Sequence, residues 1–338
     1  MNSYKFTYSI YQRPFRQPLK TSHGVWEIRE GIIVQLTDNL GRSQQGEIAP
    51  IPWFGSESIE QAISWCQQIG ENITTAQIHQ IPDYLPACQF GCGSALTAFN
   101  YSSPLIDFIP DLSALLPSGA AAIGKIPALL NRGYSTFKWK IGVLPIAEEL
   151  AIWTQLMIAL PAHAKLRLDA NGGLTYSEAK QWLEICSREP RIEFIEQPLG
   201  IDAIEQIQAL AQGYDTPIAI DESVATFAKI QAAYTQGWRG IYTIKAGIAG
   251  FPWRLTEFIT QHQLDVVFSS VMETNVGRDA TFRLAAELKL TRSMGFGVND
   301  WFFEDSSDLT HIPHFSFYDK YLDLFTTHLR NKYADESS

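Results

Sequence analysis

Residues 136–171 read TFKWKIGVLPIAEELAIWTQLMIALPAHAKLRLDAN. A short apolar run ends in a charge at Lys140, a helical stretch follows, and a second short run ends at Asp169, Ala170 and Asn171. The same unit recurs outward in both directions. Candidate strands lie at Leu112 to Leu115, Thr136 to Lys140, Leu166 to Ala170, Ile192 to Glu196, Ile218 to Asp221, Ile241 to Lys245, Val266 to Ser269 and Gly295 to Val298. These runs are too apolar to be half-exposed, as befits parallel strands covered on both faces. Eight of them, spaced by about 25 residues with helices between, predict a (β/α)8-type barrel. A doubly wound sheet is the alternative, and the lack of any G-x-G-x-x-G after a strand weighs against it.

Upstream the texture differs. Tyr4 to Tyr11 alternates like a strand, Gly31 to Leu36 gives a second, and Ser43 to Ile48 follows the turn at Asn39-Leu40-Gly41. Helical spacing runs over Ser58 to Ile69 and again over Gly91 to Tyr101. This predicts an α+β domain over 1–105, a barrel over 106–308, and an aromatic-rich segment over 309–338 that packs back on the first domain.

The chain has 338 residues, 46% hydrophobic and 18% charged, which is ordinary globular composition. Lys and Arg number 26 against 36 Asp and Glu, for a net charge of −10 with no basic run. That excludes a nucleic-acid or anionic-membrane binder but not an anionic small substrate, because lysines or a metal can reverse the field inside a pocket. Cys66, Cys88, Cys92 and Cys186 follow no metal or redox spacing and read as buried free thiols. With no signal-peptide core in Met1 to Pro18 and no run near the ~18 apolar residues of a membrane span, the expectation is a soluble, cytoplasmic protein. The oligomeric state is left open.

Barrel enzymes place their chemistry at the C-terminal ends of strands. There the sequence puts Lys140, Asp169, Glu196, Asp221 and Lys245, separated by 29, 27, 25 and 24 residues, one unit each time. A single charge at a strand end is more often a helix cap or a surface ion pair, and Glu193, Glu222 and Asp265 are read that way. Five in register are harder to explain so. Three carboxylates on adjacent strands repel and raise one another's pKa, which a divalent cation relieves; an all-oxygen set suits Mg2+. Lysines from the second and sixth strands flank that point, and a desolvated lysine beside a cation can serve as a base. Lys138, two residues before Lys140, shares its inward face.

Lys138-x-Lys140, Asp169-Ala-Asn171, Glu196-Gln-Pro198, Asp221-Glu-Ser223 and Ile244-Lys245 together resemble the enolase superfamily, muconate-lactonizing subgroup, over nearly the whole chain. The resemblance implies a modified (β/α)7β barrel under an N-terminal capping domain. It implies Mg2+ held by Asp169, Glu196 and Asp221, with a substrate carboxylate on the metal and its α-proton removed by a lysine. Lys140 and Lys245 match the acid/base pair. Lys138, Asn171 and Ser269 are the substrate-binding candidates.

The five residues do not choose among the subgroup's reactions. The segment Phe268-Ser269-Ser270-Val271-Met272-Glu273 is similar to that of the subgroup's dehydratases, and Gly295 to Trp301 lacks the D-x-D of its dipeptide epimerases. The expectation is a Mg2+-dependent syn-dehydration of a cyclohexadiene carboxylate in quinone biosynthesis. A racemase of N-acylated amino acids is the runner-up, and a non-catalytic metal- or anion-binding barrel a distant third. Trp26, Trp301 and Phe302 fall in mouth-facing segments, where they either cover an apolar ring or pack. The loop Lys20 to Trp26 is expected to close over the substrate.

Overall fold

The computed structural model describes residues 2–21, 24–100, 110–298 and 301–302. The first unit is a four-stranded antiparallel sheet in the order β3-β2-β1-β4, from β1 (Ser3–Thr21), β2 (Gly24–Thr37), β3 (Ser43–Ile48) and β4 (Asn72–Thr74). Its helices are α1 (Ile59–Ile69), α2 (Thr75–His79) and α3 (Pro86–Ala98). Capping boxes start two of them: Ser58 with Gln61, and Thr74 with Gln77. β1 and β2 run far beyond the stretches that alternate in sequence, because each is the other's hairpin partner along almost its whole length. Their register shifts between Pro14 and Leu19, where Pro14 and Pro18 cannot donate to a ladder. The last helix begins at Pro86 rather than near Gly91, since proline suits the first helical position, where no intrahelical N–H is needed.

Glycines let that helix lie close on both sides. A Cβ at Gly46 would sit 1.9 Å from the Gly91 carbonyl oxygen, and one at Gly93 would sit 2.7 Å from Pro252. α3 is therefore pressed between β3 and the segment that starts a barrel helix.

The barrel comprises β5 (Leu112–Leu115), β6 (Thr136–Lys140), β7 (Lys165–Asp169), β8 (Ile192–Glu196), β9 (Ile218–Ile220), β10 (Ile241–Ile244), β11 (Val266–Phe268) and β12 (Met294–Gly297). Between successive strands lie α4 (Ala121–Asn131), α5 (Ile146–Ala159), α6 (Tyr176–Cys186), α7 (Ile204–Gly213), α8 (Phe227–Thr235), α9 (Pro252–His262) and α10 (Asn275–Glu287). Eight parallel strands with seven helices between them give the (β/α)7β arrangement. The strand order is β11-β10-β9-β8-β7-β6-β5-β12, and a parallel bridge between Ser269 and Gly295 closes the ring.

Two apolar cores result. One fills the barrel and the shell beneath its helices, with Trp139, Trp182 and Phe282 among its members. The other lies within the N-terminal unit but also takes in Ile248, Phe251 and Val271 from loops after the barrel strands. The expected packing of 309–338 lies outside the described residues. Among the described residues no helix is long and apolar enough to cross a membrane.

Candidate active site

Strand register decides which side chains share a layer. Lys140 is the Cα partner of Asp169, and Asp169 of Glu196, so three of the sequence-predicted residues stand in one row across β6, β7 and β8. Glu196 pairs with Ala219, which puts Asp221 two residues further along β9, at its C-terminal exit. Lys245 follows β10 directly. In the strand order β6 and β10 lie four places apart in a ring of eight, so the two lysines approach the carboxylates from opposite walls.

The carboxylates are buried and the lysines neutralise them. Lys138 Nζ donates to Glu196 Oε1 at 2.6 Å and lies 2.8 Å from Asp169 Oδ2. Burial alone would lower the Lys138 pKa; Asp169 and Glu196 outweigh it and hold the ammonium above its usual value. Burial pushes the Glu196 carboxyl up to about 7 despite Lys138. Burial likewise raises Asp221 to about 6, although Lys245 Nζ donates to both its oxygens. Lys140 differs: its ammonium has no ion-pair or hydrogen-bond partner among the described residues. Of the two lysines on β6, one is tied to the acids and the other is left available.

This arrangement suits a divalent cation in its chemistry. The donor set is all oxygen, and two of its members carry pKa values raised by burial, the signature of charge awaiting compensation. Among the described residues no three His, Cys, Asp or Glu side chains are placed round one point, and the Lys138 and Lys245 ammonium groups lie against the carboxylates.

Of the remaining sequence-predicted residues, Asn171 lies at the exit of β7. Its backbone N–H donates to Asp169 Oδ1 at 3.0 Å and its Nδ2 to Glu222 Oε1 at 3.0 Å. Ser269 is half-buried at the exit of β11, against Gly295. Phe302 is buried and stacks on Phe15, with ring centroids 4.6 Å apart, and Trp26 packs edge-on against Phe15 and Trp53. Phe302 thus packs between the first domain and the end of the barrel, whereas Trp26 packs within the first domain. Of the Lys20 to Trp26 segment only Ser22 and His23 lie outside the described residues; Lys20 pairs with Val25 and Thr21 with Gly24, so the segment is the tip of the β1–β2 hairpin.

Three neighbours escape a sequence reading. Glu222 is no ordinary surface charge: burial raises its pKa, Asn171 donates to one of its oxygens, and the other is buried without a partner. Glu193 and Asp265 do form ordinary ion pairs, with Arg167 and Arg292. Phe54, contributed by the first domain, lies with its ring centroid 4.1 Å from Lys245 Nζ, a cation–π contact. Gln197 is wholly buried between the exits of β8 and β9. Glu222 and Gln197 fall inside the Asp-Glu-Ser and Glu-Gln-Pro runs, but neither run signals the contacts these two side chains make.

Comparison with known proteins agrees with this geometry. Residues 125–317 match the family described as enolase C-terminal domain-like, and residues 5–99 match MenC, N-terminal domain. The chain is 38% identical over 301 residues to the o-succinylbenzoate synthase of Thermosynechococcus vestitus, covering 88% of this chain and 93% of the relative. It is 29% identical to that of Vibrio cholerae serotype O1, covering 77% and 79%. Among solved structures it is similar to o-succinylbenzoate synthase from Thermosynechococcus elongatus BP-1, complexed with Mg in the active site. The TM-score is 0.84 at 36% identity, over 96% of this chain and 99% of that one. The L-Ala-D/L-Glu epimerase of Bacillus subtilis, at 22% identity and TM-score 0.75 over 90% and 92% of the two chains, shares the fold.

Proposed function

Because the chain belongs to the enolase C-terminal domain-like family, we propose on that premise that it catalyses the o-succinylbenzoate synthase reaction. The substrate is 2-succinyl-6-hydroxy-2,4-cyclohexadiene-1-carboxylate and the products are 2-succinylbenzoate and water, in menaquinone or phylloquinone biosynthesis. The observation that supports this best is the register of Lys140, Asp169 and Glu196 on adjacent strands, with Asp221 and Lys245 next round the ring.

Asp169, Glu196 and Asp221 would hold a divalent metal, which we assign as Mg2+; when bound it supplies positive charge opposite the substrate carboxylate. Lys140, whose amine has no partner among the described residues, takes the proton α to that carboxylate. As the C6–O bond breaks, the same ammonium returns the proton to the departing hydroxyl on the same face, and the ring becomes aromatic. Lys138 offsets the negative charge that grows on the carboxylate. Lys245 approaches the opposite face, stays protonated, and is backed by Phe54. Asn171 and Ser269 line the exits of β7 and β11, where they are assigned to hold substrate. The four cysteines are buried and unpaired, which fits the reducing cytoplasm.

Absorbance of the purified protein with the cyclohexadiene acid tests this directly. Turnover is expected to vanish in excess chelator and to return with Mg2+; full turnover in chelator removes the metal, and no turnover in any metal removes the reaction. The two lysines on opposed walls also favour a second activity, racemization of N-succinyl amino acids, which needs a proton carrier on each face. Racemization much faster than dehydration would make it the principal one.

A further inference from the structure

Gln197 follows Glu196 directly, has no exposed surface, and adopts φ of +38°. Residues other than glycine seldom enter that left-handed region, which is strained for a residue bearing a Cβ. Backbone geometry alone would therefore favour glycine here. The side chain offsets this by filling its whole hydrogen-bonding capacity. Oε1 accepts from the backbone N–H of Asp221 at 3.0 Å and of Ser223 at 3.2 Å. Nε2 donates to the Leu199 carbonyl at 2.9 Å and to Ser223 Oγ at 2.8 Å. Its own N–H donates to the Ala219 carbonyl at 2.8 Å, and its own carbonyl accepts from Gly172 N–H at 2.7 Å.

These six bonds reach the exits of β7, β8 and β9, the three strands that end at Asp169, Glu196 and Asp221. Asn171 adds a second tie across the same gap: it too is left-handed, with φ of +43°, and it links Asp169 to Glu222.

We propose that Gln197 is a positioning residue that sets the separation of Glu196 and Asp221, and with it the preference of the site for a small cation. The proposal rests on the assignment of these carboxylates as metal ligands. Its physical basis is the difference between two hard ions. Mg2+ demands near-octahedral geometry at about 2.0–2.1 Å, whereas Ca2+ accepts a looser shell at about 2.3–2.6 Å. Losing a fixed spacing therefore penalises Mg2+ more than Ca2+, whereas general loosening of the fold weakens both alike.

The test is calorimetric titration of wild type and Gln197→Met, a replacement of similar length without hydrogen bonds, with Mg2+ and with Ca2+. Partners outside the ligand shell typically contribute about 10- to 100-fold to metal affinity. Gln197→Met is expected to lose Mg2+ affinity in that range, to lose several-fold less for Ca2+, and to keep wild-type circular dichroism. Equal losses for the two ions, or none, would overturn the role of Gln197 and leave the ligand assignment standing. Wild type that binds neither ion would overturn the ligand assignment and the proposal together. Should Gln197→Met not fold, hydrogen exchange on wild type decides. Slow exchange of the Asp221 and Ser223 amides in chelated protein, unchanged by Mg2+, supports the proposal. Exchange that is fast until Mg2+ is added overturns it.

Discussion

Lys138 and Lys140 stand two residues apart on one strand, yet their surroundings give them different work. Lys138 is locked between Asp169 and Glu196, and Lys140 has no partner among the described residues. Lys140→Ala is expected to fold and bind metal normally but to lose at least ~10²- to 10⁴-fold in dehydration, the range of general-base catalysis. Steady-state absorbance together with a metal titration checks both halves. Lys245 lies across the site, so Lys245→Ala should abolish α-proton exchange in D2O for one enantiomer of an N-succinyl amino acid and spare the other. NMR on each enantiomer measures this; equal loss for both would mean that Lys245 does not serve a second face. Lys245→Arg, which keeps the charge, should retain more dehydration than the alanine variant. The five charges were legible in the sequence because each ends an apolar run one barrel unit after the last. Gln197 and Phe54 were not, since an amide and an aromatic gain their roles only from neighbours on other strands.

Helices carry strains of their own. Within α10, burial raises the Asp279 carboxyl to about 6, despite the pull of Arg283 and Arg278. Its folded pKa thus lies above its unfolded one. The stability it contributes is fully present below the unfolded value near 3.8 and is lost as the pH rises through about 6. Asp279→Asn should therefore gain on wild type between those two values and run parallel to it above them, as urea unfolding across that window would report. On the far side of the barrel, Glu149 of α5 accepts from Gly142, Val143 and Leu144 N–H at 2.9, 2.9 and 3.0 Å, which pins the loop that follows Lys140. Element positions were legible from hydrophobic period; the barrel strands fall within a residue or so of their sequence reading. The ends of β1, β2 and α3 were not, because hairpin pairing and a proline at a first turn set them rather than alternation.

Between the two units the buried part of the joint is the Glu47 carboxylate and a shared core, beside contacts such as Arg254 with Asp83 and Arg13 with the Glu273 carbonyl. Glu47, at the end of β3, accepts from Thr274 Oγ1, from Thr274 N–H at 2.9 Å, from Gly277 N–H at 2.9 Å and from Tyr11 Oη at 2.5 Å. It thereby caps α10 from the other domain. Glu47→Ala would leave these buried donors without a partner, and is expected to cost about 3 kcal/mol or more in chemical denaturation, with Glu47→Gln milder. Its cost should fall on both domains at once as a single transition, since Ile248, Phe251 and Val271 of the barrel belong to the first domain's core. No pattern in the sequence announces such a contact, whose partners lie more than two hundred residues apart.

The first barrel strand, β5, pairs with the last, β12. Ring closure therefore waits until the entire barrel sequence is available, and joining distant segments makes it a slow, entropically costly contact. The residues assigned to the metal occupy only 169–221, three neighbouring strands in mid-chain. During synthesis, the arc that bears them leaves the ribosome well before the strand that seals the cylinder.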